Sequence, residues 1–406
     1  MAARNPRPDL PLLARRFGTP LYVYSQDDIQ ERLVRLRKSF RRPGTLICYA
    51  LKANSSRAVC RILAQAGAGA EVVSGGELLR AGAAGFSPDK TVFSGVGKTA
   101  EEMSLGLRRG ILSFHVESSE ELDALEYLAR RLRKPAPYCV RLNPDVQART
   151  HPHVTTGRAE NKFGVEEADA LAMARRGRKS PWLRFQGLHC HIGSQIRDTG
   201  PFGRAAAAVA RILRLLEAEG LEVSLIDMGG GFGISQQGEG ALDLAGLART
   251  YSRAFAAWPR ARLIIEPGRY LVAEAGILLT RVLYRKKTSR RRFVVVDAAM
   301  NDLARPALYG AFHPIVALRP RPGLRQRVDV VGPICESGDF LARQRLLPPV
   351  EPGDILAVRQ AGAYGFAMSS QYNSRPKPAE VLVSGRKTRL IRRRETIRDL
   401  ICQEIG

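Results

Sequence analysis

Eight short apolar runs, most of them separated by a helix-like stretch, constrain this chain more than any other feature. The first is Leu46–Leu51, which ends at Lys52. The others are Gly69–Gly75, Thr91–Lys98, Leu112–Ser118, Tyr138–Pro144, Phe185–Gly193, Leu225–Gly233 and Leu263–Tyr270. Between most of them lie alanine-, leucine- and arginine-rich segments with helical spacing, such as Arg57–Ala66, Gly76–Ala84, Ser119–Leu132, Glu166–Arg176 and Arg204–Gly220. Strands that alternate with helices argue for a parallel sheet. Eight such units over about 250 residues predict a closed (β/α)8 barrel, with an open doubly wound sheet as the structural alternative. In a barrel, polar residues at the carboxyl ends of strands face one mouth. Lys52, His191, Gly229–Gly231 and Glu266 would meet there.

After Leu271 the texture changes. Gly276–Lys287, Arg292–Ala299, Arg327–Ile334, Asp354–Gln360 and Ala379–Ser384 are rich in β-branched residues and separated by Pro-, Gly- and Arg-rich turns. This pattern predicts an all-β second domain. The expected division is an N-terminal arm (1–24), a barrel (25–270) and a C-terminal β domain with a basic tail (271–406). A short terminal helix is expected over Glu395–Glu404. A chain of 406 residues is long enough for two full cores.

Charge raises the question of nucleic acid. Against 39 acidic residues stand 64 basic ones, a net +25. The basic residues are scattered, with clusters only at Arg285–Arg292 and Arg386–Arg394, and no zinc-finger spacing or aromatic RNA-binding motif accompanies them. The charge is therefore read as an arginine-rich surface, with attraction of an anionic substrate as a lesser reading. No run is long enough to span a membrane. The Leu10–Ala14 patch, among Pro6, Pro8 and Pro11, lacks the core of a secretion signal, so a cytoplasmic location is expected. The six cysteines show no metal-type spacing and read as reduced thiols, mostly buried fillers.

Four pieces carry chemistry. A lysine at the end of an apolar strand loses its proton readily, and its neutral amine attacks carbonyls; a solvated strand end is the bland reading of Lys52. The run Asp227-Met228-Gly229-Gly230-Gly231-Phe232-Gly233 lets backbone N–H groups approach an anion such as phosphate, although a tight turn explains it equally. Glu266, in Glu266-Pro267-Gly268-Arg269-Tyr270, either pairs with Arg269 or faces a ring nitrogen, where a carboxylate stabilises a pyridinium. His189 and His191 fall at alternate positions of one expected strand. They share a face, but no third metal ligand has a convincing spacing, and a core histidine is the default for either. Stacking on a planar cofactor is the functional reading of His191. Together the pieces describe a pyridoxal phosphate site.

With Tyr49-Ala50-Leu51-Lys52-Ala53-Asn54, His189–Gln195, Gly229–Gly233, Glu266–Tyr270 and Cys335-Glu336-Ser337-Gly338-Asp339 in this order, the chain resembles the diaminopimelate decarboxylases. These belong to the alanine-racemase-fold family of pyridoxal phosphate decarboxylases. The resemblance runs from about Gly18 to Val383, although the stretch before Gly18 is shorter than the arm many members carry. It implies roles by position. Lys52 would be joined covalently to the cofactor and His191 would stack on it. Ser194 with Gly229, Gly230 and Gly231 would hold its phosphate. Glu266 would pair with its ring nitrogen, with Pro267, Gly268 and Arg269 alongside. Tyr364 would reach cofactor and substrate. Cys335 would return a proton to the substrate carbon, acting from the other subunit of a homodimer. Arg269, Arg305 and Tyr309 would bind the distal carboxylate of diaminopimelate, and Glu336 its distal ammonium; surface ion pairs and a core hydroxyl are the bland alternatives. The implied reaction yields L-lysine and carbon dioxide and uses no metal. The rivals are a same-fold decarboxylase of ornithine, arginine or carboxynorspermidine, and a non-catalytic homologue that binds a protein partner. A racemase of this fold would place arginine where Glu266 stands.

Overall fold

A computed structural model describes residues 9–146, 162–236 and 239–405. It divides into two compact units. One comprises Gln30–Ser235 with Gly240–Tyr270; the other comprises Met1–Ile29, Gln236–Glu239 and Leu271–Gly406.

The first strand, β1 (Leu21–Ser25), belongs to the second unit. The next eight build the first unit. They are β2 (Leu46–Ala50), β3 (Gly69–Val72), β4 (Thr91–Phe93), β5 (Ser113–Val116), β6 (Ala136–Arg141), β7 (Leu183–His189), β8 (Leu225–Asp227) and β9 (Arg262–Ile265). All pair in parallel, and β9 returns to β2 through Leu46↔Ile264 and Ile47↔Ile265. That closure excludes the open doubly wound sheet and gives the expected (β/α)8 barrel.

Each strand is shorter than the apolar run that announced it, because glycines and polar residues turn the chain away at its carboxyl end. Leu225–Gly233 stops at Asp227, since Gly229 and Gly231 adopt φ values of 61° and 90°. Phe185–Gly193 stops at His189. The two histidines therefore do not share one strand face, as the alternation suggested; His191 lies in the turn beyond. The intervening helices are closed by local chemistry. The helix Ala100–Arg109 begins with a capping box between Thr99 and Glu102 and ends at a left-handed Gly110.

Alternation along the strands layers the interior. Leu46, Cys48, Val92, Cys139, Leu225 and Ile264 form one buried apolar layer. Two residues further along the same strands come Ala50, Ser94, Arg141, Asp227 and Glu266. Glu71 and His115, next to last in β3 and β5, and His189, last in β7, are likewise buried. The barrel thus changes from hydrocarbon to ionisable groups at its carboxyl end. Cys48, Cys60, Cys139 and Cys190 are buried, while Cys335 and Cys402 are exposed.

The second unit is mostly β. Its strands after β1 are β10 (Gly276–Lys287), β11 (Arg292–Val296), β12 (Ile315–Ala317), β13 (Gln326–Val331), β14 (Phe340–Leu347), β15 (Ile355–Val358), β16 (Ala379–Ser384) and β17 (Lys387–Arg392). They form one nine-stranded sheet. Although first in sequence, β1 lies between β10, antiparallel to it, and β16, parallel to it. Leu21 and Val23 pack there with Leu279, Ala357, Ala379, Val381 and Val383. The basic tail has a structural role. β17 is an outer strand carrying Lys387 and Arg389, and charge on an edge discourages pairing with other chains. Arg392 pairs with buried Glu380, and Arg394 Nη2 donates to the carbonyl of Pro20 at 2.6 Å, tying the first strand down. The terminal helix spans Ile397–Ile401.

Candidate active site

Lys52 leaves β2 in a single helical turn, Leu51–Ala53. Its Nζ donates to both carboxylate oxygens of Glu71 at 2.9 Å. The lysine side chain is 38% exposed and the glutamate 0%, so a buried carboxylate grips a part-exposed lysine. Burial pushes the Glu71 carboxyl up, and the Lys52 charge opposes that shift.

The turn after β8 lies against the turns after β7 and β9. Asp227 Oδ1 accepts from Gly229 N at 2.8 Å, and Glu266 N donates to the Gly229 carbonyl at 2.8 Å. Gly230 N donates to His191 Nδ1 at 3.1 Å, which fixes that nitrogen as the acceptor and the imidazole as neutral. Loss of hydration also pushes His191 well below the usual histidine range, with Lys52 adding to the shift. Glycine is required here by space as well as by φ. A Cβ on Gly230 would sit 2.1 Å from the Glu266 carbonyl oxygen, and one on Gly231 would sit 2.2 Å from that of Gly193. Gln195, itself at φ 63°, locks the neighbouring turn through Ile234, accepting from its N–H and donating to its carbonyl. Arg269 Nη2 donates to Ser194 Oγ at 3.0 Å.

Glu266 points into the barrel. Its Oε2 lies 3.4 Å from His189 Nε2, and its Oε1 lies 3.7 Å from His115 Nδ1. Beside it, Arg141 Nη1 donates to Glu117 Oε1 at 2.7 Å. Lys52, His191, Ser194, Gly229–Gly231, Glu266, Pro267, Gly268 and Arg269 thus converge at the carboxyl end of the barrel.

The other expected site residues lie in the β-rich unit. Arg305 is buried and its Nη1 lies 3.2 Å from His313 Nε2; Tyr309 follows one turn later on the same short helix, Arg305–Tyr309. Tyr364 holds a left-handed backbone, φ 56°, a conformation that costs energy for a non-glycine residue and is enriched at functional sites. Cys335 and Glu336 are exposed. Cys335 N donates to Asn373 Oδ1 at 2.8 Å, and Tyr372 hydrogen-bonds to Glu336.

Sequence reasoning missed Glu71, His115, Arg141 and Asp227 as members of this site. Their signal was present: each lies two residues beyond an inward-facing position of its strand. Only the closed ring of eight strands shows that these positions meet.

A family profile for pyridoxal-dependent decarboxylases, pyridoxal binding domain, matches residues 26–273. Diaminopimelate decarboxylase of Neisseria meningitidis serogroup A is 46% identical over 396 residues, covering 98% of this chain and 97% of that protein. Its counterpart in Pseudomonas aeruginosa is 47% identical over 395 residues, covering 97% and 94%. Among solved structures, diaminopimelate decarboxylase of Helicobacter pylori complexed with L-lysine superposes with a TM-score of 0.94 at 43% identity, over 98% of this chain and 99% of that one.

Proposed function

This chain belongs to the diaminopimelate decarboxylase family of pyridoxal-dependent enzymes, and we propose that it removes carbon dioxide from meso-diaminopimelate to release L-lysine. The single observation that carries this is an amine at a barrel mouth, gripped by a buried carboxylate, with a glycine turn too tight for any side chain at the same mouth. The same residues fit pyridoxal phosphate. Lys52 is within reach of an aldehyde, the Gly229–Gly231 turn offers backbone N–H groups for a phosphate, and Glu266 Oε1 has no hydrogen-bond partner among the described residues. When bound, the cofactor supplies a carbonyl that joins to amines and a ring that accepts the electron pair left by carbon dioxide.

The protein's part is to orient and to move protons. Glu71 aligns the Lys52 amine. Glu266 supplies a fixed negative charge where a ring nitrogen gains a proton. Neutral His191, its Nδ1 already occupied, presents a flat face rather than a charge. Arg269 and Arg305, with Tyr309, suit the distal carboxylate, because a planar guanidinium fork matches that group. Glu336, hydrogen-bonded by Tyr372, suits the distal ammonium, and Tyr364 suits contact with cofactor and substrate. Cys335 returns the proton to the substrate carbon. Its exposure beside Glu336 is what a pair acting in a partner subunit's site requires, so the working unit is proposed to be a homodimer. Among the described residues no helix is long and apolar enough to cross a membrane; a cytoplasmic enzyme is proposed. The +25 charge is read as surface arginine, not as a nucleic-acid site.

The test is product analysis of the purified, cofactor-loaded protein. Lysine should form from meso-diaminopimelate, and Lys52→Ala should abolish both turnover and borohydride-trapped cofactor. Release of putrescine, agmatine or norspermidine from the corresponding substrates instead would assign one of the same-fold decarboxylases. A protein that takes up no cofactor would favour the non-catalytic homologue.

A further inference from the structure

His313 has no part in the mechanism above, yet it is 0% exposed and sits against Arg305, itself 8% exposed. Arg305 Nη1 lies 3.2 Å from His313 Nε2, and His313 Nδ1 lies 3.0 Å from the Arg359 carbonyl oxygen. Both ring nitrogens are therefore engaged. We propose that His313 is a positioning residue: as a neutral imidazole it aims the Arg305 guanidinium at the distal carboxylate of the substrate, and so sets the choice of substrate. This inference rests on the reading of Arg305 given above.

The two bonds fix the state of the ring. A guanidinium can only donate and a carbonyl can only accept. Nε2 must therefore present its lone pair to Arg305, and Nδ1 must carry the proton given to Arg359. A protonated ring has no lone pair to offer, and it would set a second cation 3.2 Å from the guanidinium. A neutral acceptor is the useful one at this place. A carboxylate here would offset the charge of Arg305, whereas an imidazole holds the group and leaves its charge for an incoming anion.

The backbone around His313 holds the ring in place. Arg305 opens the short helix Arg305–Tyr309, which ends at a left-handed Gly310, and Ala311 N donates back to the Arg305 carbonyl at 3.3 Å. That turn brings His313 beside the first residue of the helix. The chain then enters β12, whose Ile315 pairs with Val358 of β15. Arg359 N donates to the Pro314 carbonyl at 2.8 Å, so the two segments are tied both through the backbone and through the ring. The residue before the histidine is fixed as well. The Arg345 guanidinium lies over the Phe312 ring, 3.9 Å from its centroid, and Gln236 Nε2 donates to the Phe312 carbonyl at 3.2 Å. An imidazole anchored at Nδ1 on this frame cannot follow a guanidinium that strays. It therefore sets the position of Arg305, and not the reverse.

Two ligands that differ only in the carboxylate test it by absorbance titration of the cofactor-loaded, full-length protein. L-lysine, the proposed product, keeps the distal carboxylate, and cadaverine is the same diamine without it. Asn and Gln divide the two functions of the ring, because Asn offers a donor near the place of Nδ1 and Gln an acceptor near that of Nε2. The wild type should prefer L-lysine. His313→Asn should weaken L-lysine binding about tenfold or more, the scale of one hydrogen bond to a charged group, and leave cadaverine and cofactor affinity unchanged. His313→Gln should keep the preference. Retention of the preference in His313→Asn, or its equal loss in both variants, overturns the proposal. Should His313→Asn fail to fold, nitrogen NMR of histidine-labelled wild type decides the matter. The His313 ring, assigned by its loss in His313→Gln, should carry its proton on Nδ1, and a proton on Nε2 overturns the proposal. Arg305→Gln separates the underlying reading. If the wild type shows no preference, or Arg305→Gln keeps it, Arg305 is not the partner of the distal carboxylate and that reading falls instead.

Discussion

Gly230→Ala tests the claim that the barrel mouth is built by close approach of two backbone turns. The added methyl would lie 2.1 Å from the Glu266 carbonyl oxygen, and ordinary contact begins at 3.4 Å. The turns must therefore part by about 1.3 Å, because a packed interior has no slack to absorb the atom. They cannot part independently, since Glu266 N donates to the Gly229 carbonyl at 2.8 Å across the same gap. Overpacking of this kind costs about 1–3 kcal/mol. A displacement of about 1 Å at reacting groups lowers turnover about 100-fold. Gly97→Ala is the control: a Cβ there meets nothing within 4 Å and the residue is exposed. Urea denaturation, cofactor titration by absorbance and kcat/KM for lysine release are measured on both variants. Gly230→Ala should lose stability, cofactor affinity and activity, and Gly97→Ala should lose none of them. If Gly230→Ala retained wild-type cofactor affinity and stability, the turn would be looser than described and its assignment as the phosphate cradle would lose its basis.

Three further outcomes follow from particular contacts. Cys335→Ala should bind cofactor normally while kcat falls about 100-fold or more, the usual scale for loss of a general acid; unchanged turnover would remove Cys335 from the chemistry. Burial and nearby Glu71 push Glu77 from 4.5 up to about 7. The unfolded chain then gives up this proton first, so stability falls as pH rises from about 4.5 to about 7, a loss of about 3 kcal/mol at 1.36 kcal/mol per pH unit. Glu77→Gln should accordingly equal the wild type near pH 4 and exceed it above pH 7, as read by denaturation at each pH. Arg394→Ala withdraws the donor to the carbonyls of Pro20 and Phe17, at 2.6 and 3.4 Å, and should cost about 1–3 kcal/mol. Limited proteolysis should then cut the N-terminal arm faster; an unchanged cleavage rate would mean that β1 is held by sheet pairing alone.

Much of this architecture is written locally. Apolar runs with helix-like spacers predict strands, helices and their order. Lys52 and the Gly229–Gly231 run are legible because an amine at a strand end and three successive glycines are unusual in themselves. Two things were not legible. The strand Leu21–Ser25 is apolar enough to be a strand, yet its partners lie more than 250 residues away at Leu279 and Ala379, and no local pattern encodes that pairing. The basic tail reads as unassigned charge until Arg392 and Arg394 are seen to close on Glu380 and Pro20.

The sequence by itself determined which residues could do chemistry and that they stand at strand ends, since periodicity and residue type are properties of neighbours along the chain. Only the tertiary structure decided that Glu71 grips Lys52, that Arg269 turns to Ser194, and that the buried imidazoles of His115 and His189 meet the carboxyls of Asp227 and Glu266. Those relations depend on the shear and closure of eight strands, which bring together groups from different strands and expel the water between them. Hydrogen-bond choice and proton affinity are set by that shared, dry environment, and no single segment of the chain contains it.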